Sequence, residues 1–195
     1  MNAVDGHAEA STAGQPDADA DADASTDAPA DDDAFGDVLR ANAGYARTFS
    51  LQGLPPRAGR GLAVVTCMDS RIEPLAMLGL RPGDAKILRN AGARVTDDVL
   101  RTLVLAVHLL GVTRVLVIPH TECRMVQSSD DHVHELITAA SGVDTRGLEF
   151  GTTPDQEGAL RQDITRITSH PMLPDDLAVA GCMYDVGTGA LTRIV

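Results

Sequence analysis

The sequence predicts an α/β fold: a mostly parallel central sheet flanked by helices, with an antiparallel strand at its C-terminal edge. Three observations predict it. Short apolar runs such as Leu62-Ala-Val-Val and Val115-Leu-Val-Ile have the length and β-branched content of buried strands. Segments with helical spacing of apolar residues lie between them, which is the arrangement of βαβ units and a parallel sheet covered on both faces. Finally, Gly187-Thr-Gly189 turns the chain into a last short run, LTRIV, close enough to pair antiparallel with the strand before it.

The chain has 195 residues and a formal net charge of -12, unevenly placed. Residues 1–34 hold ten of the 28 acidic residues and none of the 16 Lys and Arg, so residues 35–195 carry a net of only -2. The first 34 residues are rich in Asp and Ala and have almost nothing apolar larger than alanine. Such a segment cannot repay its ordering entropy, and a disordered acidic tail is expected, with solubility as its simplest role. The length of the remainder suits one domain.

Within that domain, Val38, Leu39, Tyr45, Ala46 and Phe49 recur at helical intervals and predict an amphipathic helix over 36–50. Two prolines and three glycines make 53–61 a loop. A strand is expected over 62–67, then a short helix over 74–79 with Pro74 in its first turn, then a strand over 85–90. Thr96-Asp97-Asp98 opens a strong helix through Leu110, its acids suited to the positive end of the helix, and Gly111 stops it. RVLVIPHT, 114–121, reads as a buried strand, and a helix follows over about 130–140. Thr153-Pro-Asp-Gln has the form of a capping box with Pro at the first helical position, predicting a helix to about 169. LAVAGCMYDV, 177–186, is the fourth strand.

Several functions are excluded or made remote. Basic residues are scattered and no aromatic platform is present, which argues against nucleic acid. No glycine-rich phosphate loop follows the first strand, and Lys86 is the only lysine. No apolar stretch approaches the length of a membrane span. Three cysteines, Cys67, Cys123 and Cys182, without an export signal read as thiols or metal ligands, so a cytoplasmic location is expected.

Two motifs carry the chemistry. Thr66-Cys-Met-Asp-Ser-Arg71 places a thiol, a carboxylate and a guanidinium where the first strand ends, and His120-Thr-Glu-Cys123 stands at the end of the third. Sites in open α/β sheets form outside the carboxyl ends of strands, so Cys67, His120 and Cys123 are placed to converge. Two thiolates and an imidazole suit zinc, and three protein ligands leave a position for water. Taken singly, each residue has a plain structural reading: Cys67 and Cys123 as core, His120 as a cap, Asp69–Arg71 as an ion pair. Cys182, among small apolar neighbours, reads as core rather than as a fourth ligand.

The combination of CxDxR and HxxC, in this order, resembles the beta-class carbonic anhydrases and their close hydrolase relatives, and most closely their small actinobacterial branch. The resemblance covers nearly all of residues 35–195. It implies zinc on Cys67, His120 and Cys123, and a carboxylate–guanidinium pair in Asp69 and Arg71. RNAGARVTDDVLRTL, 89–103, resembles the family's active-site loop and following helix; Asn90, Ala91 and Gly92 would line the cavity and Asp98 would help position the helix. A dimer or tetramer of dimers is implied, with the helix over 36–50 embracing its partner.

The implied reaction is reversible hydration of CO2 to bicarbonate and a proton. Zinc lowers the pKa of its water, Asp69 orients the nucleophile, and Arg71 keeps Asp69 ionised. In some family members the equivalent aspartate closes onto the metal, and the sequence leaves both arrangements open here. His108, His132, His134 and His170 are candidates for proton export; His108, inside an apolar helix, reads first as a satisfied core or interface residue, and His7 lies in the tail. Two departures stand out. Arg124 replaces the glycine most relatives carry after the second cysteine ligand, and Glu122 stands where several have aspartate. Hydrolysis of carbonyl sulfide or carbon disulfide on the same zinc is one alternative, and a non-catalytic zinc protein, motivated by Arg124, is another.

Overall fold

The apolar runs assemble into a five-stranded sheet of order β2-β1-β3-β4-β5, in a computed structural model that describes residues 34–195. The strands are β1 (Leu62–Cys67), β2 (Ala85–Asn90), β3 (Arg114–Ile118), β4 (Ala178–Tyr184) and β5 (Leu191–Arg193). The helices are α1 (Gly36–Arg47), α2 (Pro74–Met77), α3 (Asp97–Leu110), α4 (Asp130–Ser141) and α5 (Gln156–Thr168). All pairings are parallel except β4 with β5. The fold class is the one the sequence predicts. The acidic segment and His7 lie outside the described residues.

The chain divides into two compact units after Phe49, with α1 in the first and the α/β body in the second. In α1 no residue is buried, and the rings of Tyr45 and Phe49 meet edge to face at 5.6 Å.

Alternation along the central strands builds the body's two apolar layers. Ala63 and Val65 of β1, with Val115 and Val117 of β3, pack with Val99, Leu103 and Ala106 of α3 and Leu160, Ile164 and Ile167 of α5. Leu62, Val64 and Ile118 pack with Met77, Leu78, Leu80 and Ile87. All six residues of β1 are buried, as a strand covered on both faces must be. Each fully buried Val or Leu contributes about 1.5–3 kcal/mol of transfer free energy.

Where ends differ from expectation, a local cause is visible. α1 stops at Arg47 rather than 50, and α2 at Met77 rather than 79, where Leu78 caps it and Gly79 follows with φ 62°. β3 ends at Ile118 rather than 121 because Pro119 has no N–H for the ladder; His120 resumes contact as a single bridge to Tyr184. α3 behaves as expected: Thr96 Oγ1 accepts from Val99 N, and Gly111 closes the helix in the left-handed region at φ 73°. The capping box expected at Thr153 does not form. Asp155 caps α5 by accepting from Gly158 N, while Thr153 N donates instead to the Met125 carbonyl.

The order of the strands positions the site. The chain runs from β1 to β2 on one side, then returns to place β3 on β1's other side. The gap between the carboxyl ends of β1 and β3 is therefore the switch point of the sheet.

Candidate metal centre

Cys67 is the last residue of β1, and His120 follows β3 by two residues. Because β1 and β3 pair in register from Leu62↔Arg114 to Thr66↔Ile118, the ends that carry these side chains are held level. Thr66 reinforces this: it is fully buried, and its hydroxyl donates to the Ile118 carbonyl at 2.9 Å. Cys123 returns on the turn after β3. The ligand atoms of Cys67, His120 and Cys123 all lie within 4.8 Å of one another, and all three residues are buried. These are the residues the sequence puts forward.

The tautomer of His120 follows from its partner. Nδ1 lies 2.8 Å from the Thr121 carbonyl, which can only accept, so Nδ1 carries the proton. Nε2 is then a lone pair, and it is buried without a hydrogen-bond partner. An orphaned buried acceptor facing two thiols is costly unless a cation takes it. The thiols agree. Cys67 is held well below the usual thiol range, first by a hydrogen bond from Cys123 and, against the cost of burial, by the N–H of Gly92. Cys123 is pushed up by that same shared hydrogen bond and by burial. The opposite shifts come from one hydrogen bond shared between the two sulfurs, and a divalent cation is what favours the second thiolate. The donor set fits zinc.

Asp69 stands at the edge of this group, with Oδ2 3.8 Å from His120 Nε2. Arg71 grips it at three points: N and Nε to Oδ1 at 2.9 and 3.0 Å, and Nη2 to Oδ2 at 2.9 Å. These bonds hold the Asp69 carboxyl well below the usual range. The remaining Arg71 nitrogen, Nη1, reaches Glu122 Oε2 at 3.0 Å. Glu122 is one of two non-glycine residues at positive φ among the described residues, at 57°; the other is Ala93 at 59°. Its longer arm thus closes a carboxylate–guanidinium–carboxylate chain.

The segment that follows β2 forms a braced turn. Asn90 accepts from Arg94 N through Oδ1 and donates to the Arg94 carbonyl through Nδ2, closing a turn over Ala91–Ala93. Gly92, at φ 76°, aims its N–H at Cys67 Sγ, 3.4 Å away. Asn90 and Ala91 line an open cleft with Thr96 and Phe150, whereas Gly92 lines a small cavity on the α5 side. Asp98 does not hold its helix against the body; it is exposed and pairs with Arg101 at 2.7 Å.

Three braces escaped the sequence reading. Arg89 of β2 donates to the carbonyls of Cys67 and Asp69 at 2.9 and 2.6 Å. Gln156 donates to the His120 carbonyl at 2.9 Å. Arg94 joins the buried carboxylate of Asp163, at 2.7 Å. A polar residue at a helix start or an arginine in a loop carries no local sign of such partners.

Other expectations resolve plainly. Cys182 is buried in β4 and stands apart from the three-residue group, as the core reading holds. His108 is exposed on α3 rather than in the core, with Nε2 2.8 Å from the Met172 carbonyl. His134 Nδ1 meets Thr145 Oγ1 at 2.9 Å and its ring lies against Phe150. His132 lies 3.9 Å from Glu135, and His170 Nδ1 accepts from Met172 N. Arg124 is exposed, and its φ is not positive, so the glycine it replaces is not required by the backbone here. No described helix is long and apolar enough to cross a membrane.

Comparison with known proteins places these features in a family. The family model described as carbonic anhydrase matches residues 62–191. Beta-carbonic anhydrase 1 of Mycobacterium tuberculosis is 35% identical over 159 residues, covering 81% of this chain and 96% of its own. A carbon disulfide hydrolase of Saccharolobus solfataricus is 29% identical over 169 residues, covering 73% of this chain and 80% of its own. The crystal structure of a carbonic anhydrase from Streptococcus mutans superposes with a TM-score of 0.79 at 37% identity, covering 83% of this chain and 97% of the other.

Proposed function

The chain belongs to the beta-carbonic anhydrase family, and on that premise we propose that it reversibly hydrates carbon dioxide at a zinc ion held by Cys67, His120 and Cys123. The observation that carries the reading is the buried Nε2 of His120, without a hydrogen-bond partner and within 4.8 Å of the buried sulfurs of Cys67 and Cys123. Cys67, His120 and Cys123 would hold the zinc, which would lower the pKa of water toward neutrality and supply a nucleophile for CO2.

The chain's own residues then have defined tasks. Asp69, kept anionic by Arg71, accepts a hydrogen bond from the attacking water through Oδ2, the oxygen nearer His120. Arg71 fixes both oxygens of that carboxylate, and Glu122 fixes Arg71 from its far side. The pair is partly exposed, so it contributes orientation more than stability. Gly92 N–H stabilises the Cys67 thiolate. All three ligands are buried, which keeps bulk water from their donor atoms.

Stopped-flow CO2 hydration on zinc-loaded protein tests the reading. A rate above buffer that disappears when the metal is stripped supports it; zinc bound without a rate refutes it. Carbon disulfide hydrolysis is the second reading, favoured by the hydrolase relative. Attack on a linear heterocumulene has the same geometry, and turnover of carbon disulfide without turnover of CO2 would select it. Arg124, which motivates the non-catalytic reading, is exposed and has no positive φ, and zinc bound without turnover of CO2 or carbon disulfide would select that reading.

A homodimer formed through α1 belongs to the same proposal. Val38, Leu39 and Tyr45 are more than half exposed on a helix with no buried residue, a face that needs a cover. Three free thiols suit a reducing compartment, and the cytoplasm is the location proposed.

A further inference from the structure

We infer that Arg94 and Asp163 are positioning residues for the metal centre: their buried ion pair ties α5 to the turn whose Gly92 N–H supports the Cys67 thiolate. The inference rests on the zinc reading above.

The connection runs through a short series of contacts. Asp163, in the middle of α5, is 1% exposed. Its Oδ2 accepts from Arg94 Nε at 2.7 Å and its Oδ1 from Nη2 at 3.4 Å, a two-pronged grip with Arg94 one-quarter exposed. Arg94 Nη1 also donates to the Gly151 carbonyl at 3.3 Å. On its backbone side Arg94 is clasped by both polar atoms of Asn90. Between those two residues lie Ala91, Gly92 and Ala93, and two of the three adopt positive φ, at 76° for Gly92 and 59° for Ala93. Left-handed backbone at a residue with a Cβ costs free energy and persists where its surroundings impose it.

Ala93 of the turn is packed with Cys67, Ile72 and Cys123, and on the α5 side the turn borders Ala159 and Leu160. A small cavity lined by Gly92, Arg94, Met125, Gln156, Leu160 and Asp163 lies there. The Arg94–Asp163 pair adds a polar link between the turn and the helix beside that cavity. A buried pair of this kind adds little net stability compared with apolar residues of similar size, since desolvation offsets the attraction. What it supplies is a fixed direction: bidentate contact sets the guanidinium plane, and with it the height of the turn beneath Cys67. Partners at one remove from a metal commonly govern how firmly its ligands hold it.

The test separates positioning from plain stability. Zinc release to a chromogenic chelator is measured on the full chain at a temperature well below every variant's Tm. Asp163→Asn keeps the side-chain volume but removes the charge; zinc release about 10-fold faster than in the parent protein is expected. Arg94→Met with Asp163→Leu removes both charges, so Tm should return toward that of the parent while release stays fast. Asp163→Glu, which restores the charge on a longer arm, should fall between. Release within about two-fold of the parent in Asp163→Asn overturns the inference, as does parental release in the double variant. If the parent protein holds no zinc, the metal-centre reading itself fails and this inference fails with it, which a stable zinc-loaded parent distinguishes.

Discussion

Gln156, the first residue of α5, donates its side-chain amide to the backbone carbonyl of His120 at 2.9 Å, across 36 residues of sequence. His120 is buried, so its carbonyl has little access to water. Gln156→Ala leaves that acceptor unpaired at a cost of about 1–3 kcal/mol. It also frees the segment bearing the imidazole. Zinc affinity, measured by chelator competition, should fall by about 10-fold, with the helical content of the protein unchanged by circular dichroism.

Asp69 and Arg71 should affect turnover and spare the metal. In Asp69→Asn, zinc stoichiometry stays that of the parent while kcat for CO2 hydration drops by about 10- to 100-fold. Arg71→Lys should approach the same loss, because an ammonium cannot make the side-on contact with both Asp69 oxygens. Equal rates in Asp69→Asn would remove its assigned role.

Asp130 predicts an acid limb of the stability curve. Its carboxylate accepts from Thr152 Oγ1 and N and from Phe150 and Gly151 N, pinning residues 150–152 to the start of α4. The Thr152 hydroxyl and these amides lower its pKa from 3.8 to about 2. A folded-state pKa below the unfolded one stabilises the fold above the unfolded value, about 3.9. That contribution is lost as pH falls from about 4 through about 2. In urea titrations, the midpoint gap between the parent and Asp130→Asn should be full at about pH 5 and shrink steadily across that window.

Leu39 tests the assembly. It is 61% exposed on α1, and Leu39→Asp places a charge on the face proposed to meet a second copy. Sedimentation velocity should show the parent as a dimer or larger and the variant shifted toward monomer. A parent that runs as a monomer at micromolar concentration would dismiss the proposal.

The central strands are legible because β1 and β3 are short apolar runs, and in β1 burial on both faces enforces that pattern. The ligands are legible because Cys67 and His120 stand at the ends of such runs and Cys123 follows His120 on the next turn. Helix starts were less so. Thr153 and Asp155 both have the chemistry of a cap, and the choice between them was made by distant contacts: Met125 takes the N–H of Thr153, and the His120 carbonyl takes the Gln156 side chain that the capping box needed. The same limit hid Arg94–Asp163, whose members are separated by 69 residues. In the sequence Glu122 stands out only for its length, and the structure gives that length a use in reaching Arg71. Periodicity reports what faces the core, and long-range polar partners leave no trace in it.

The central claim is that Cys67, His120 and Cys123 form a zinc centre that hydrates CO2. Its most direct measurement is the hydration rate of the stripped chain as zinc is added back in known increments. The account predicts a rate that rises linearly and levels off at about one zinc per chain, and no gain in Cys67→Ser under the same additions. Zinc taken up to that level with no rate, or a rate that Cys67→Ser recovers in full, would contradict it.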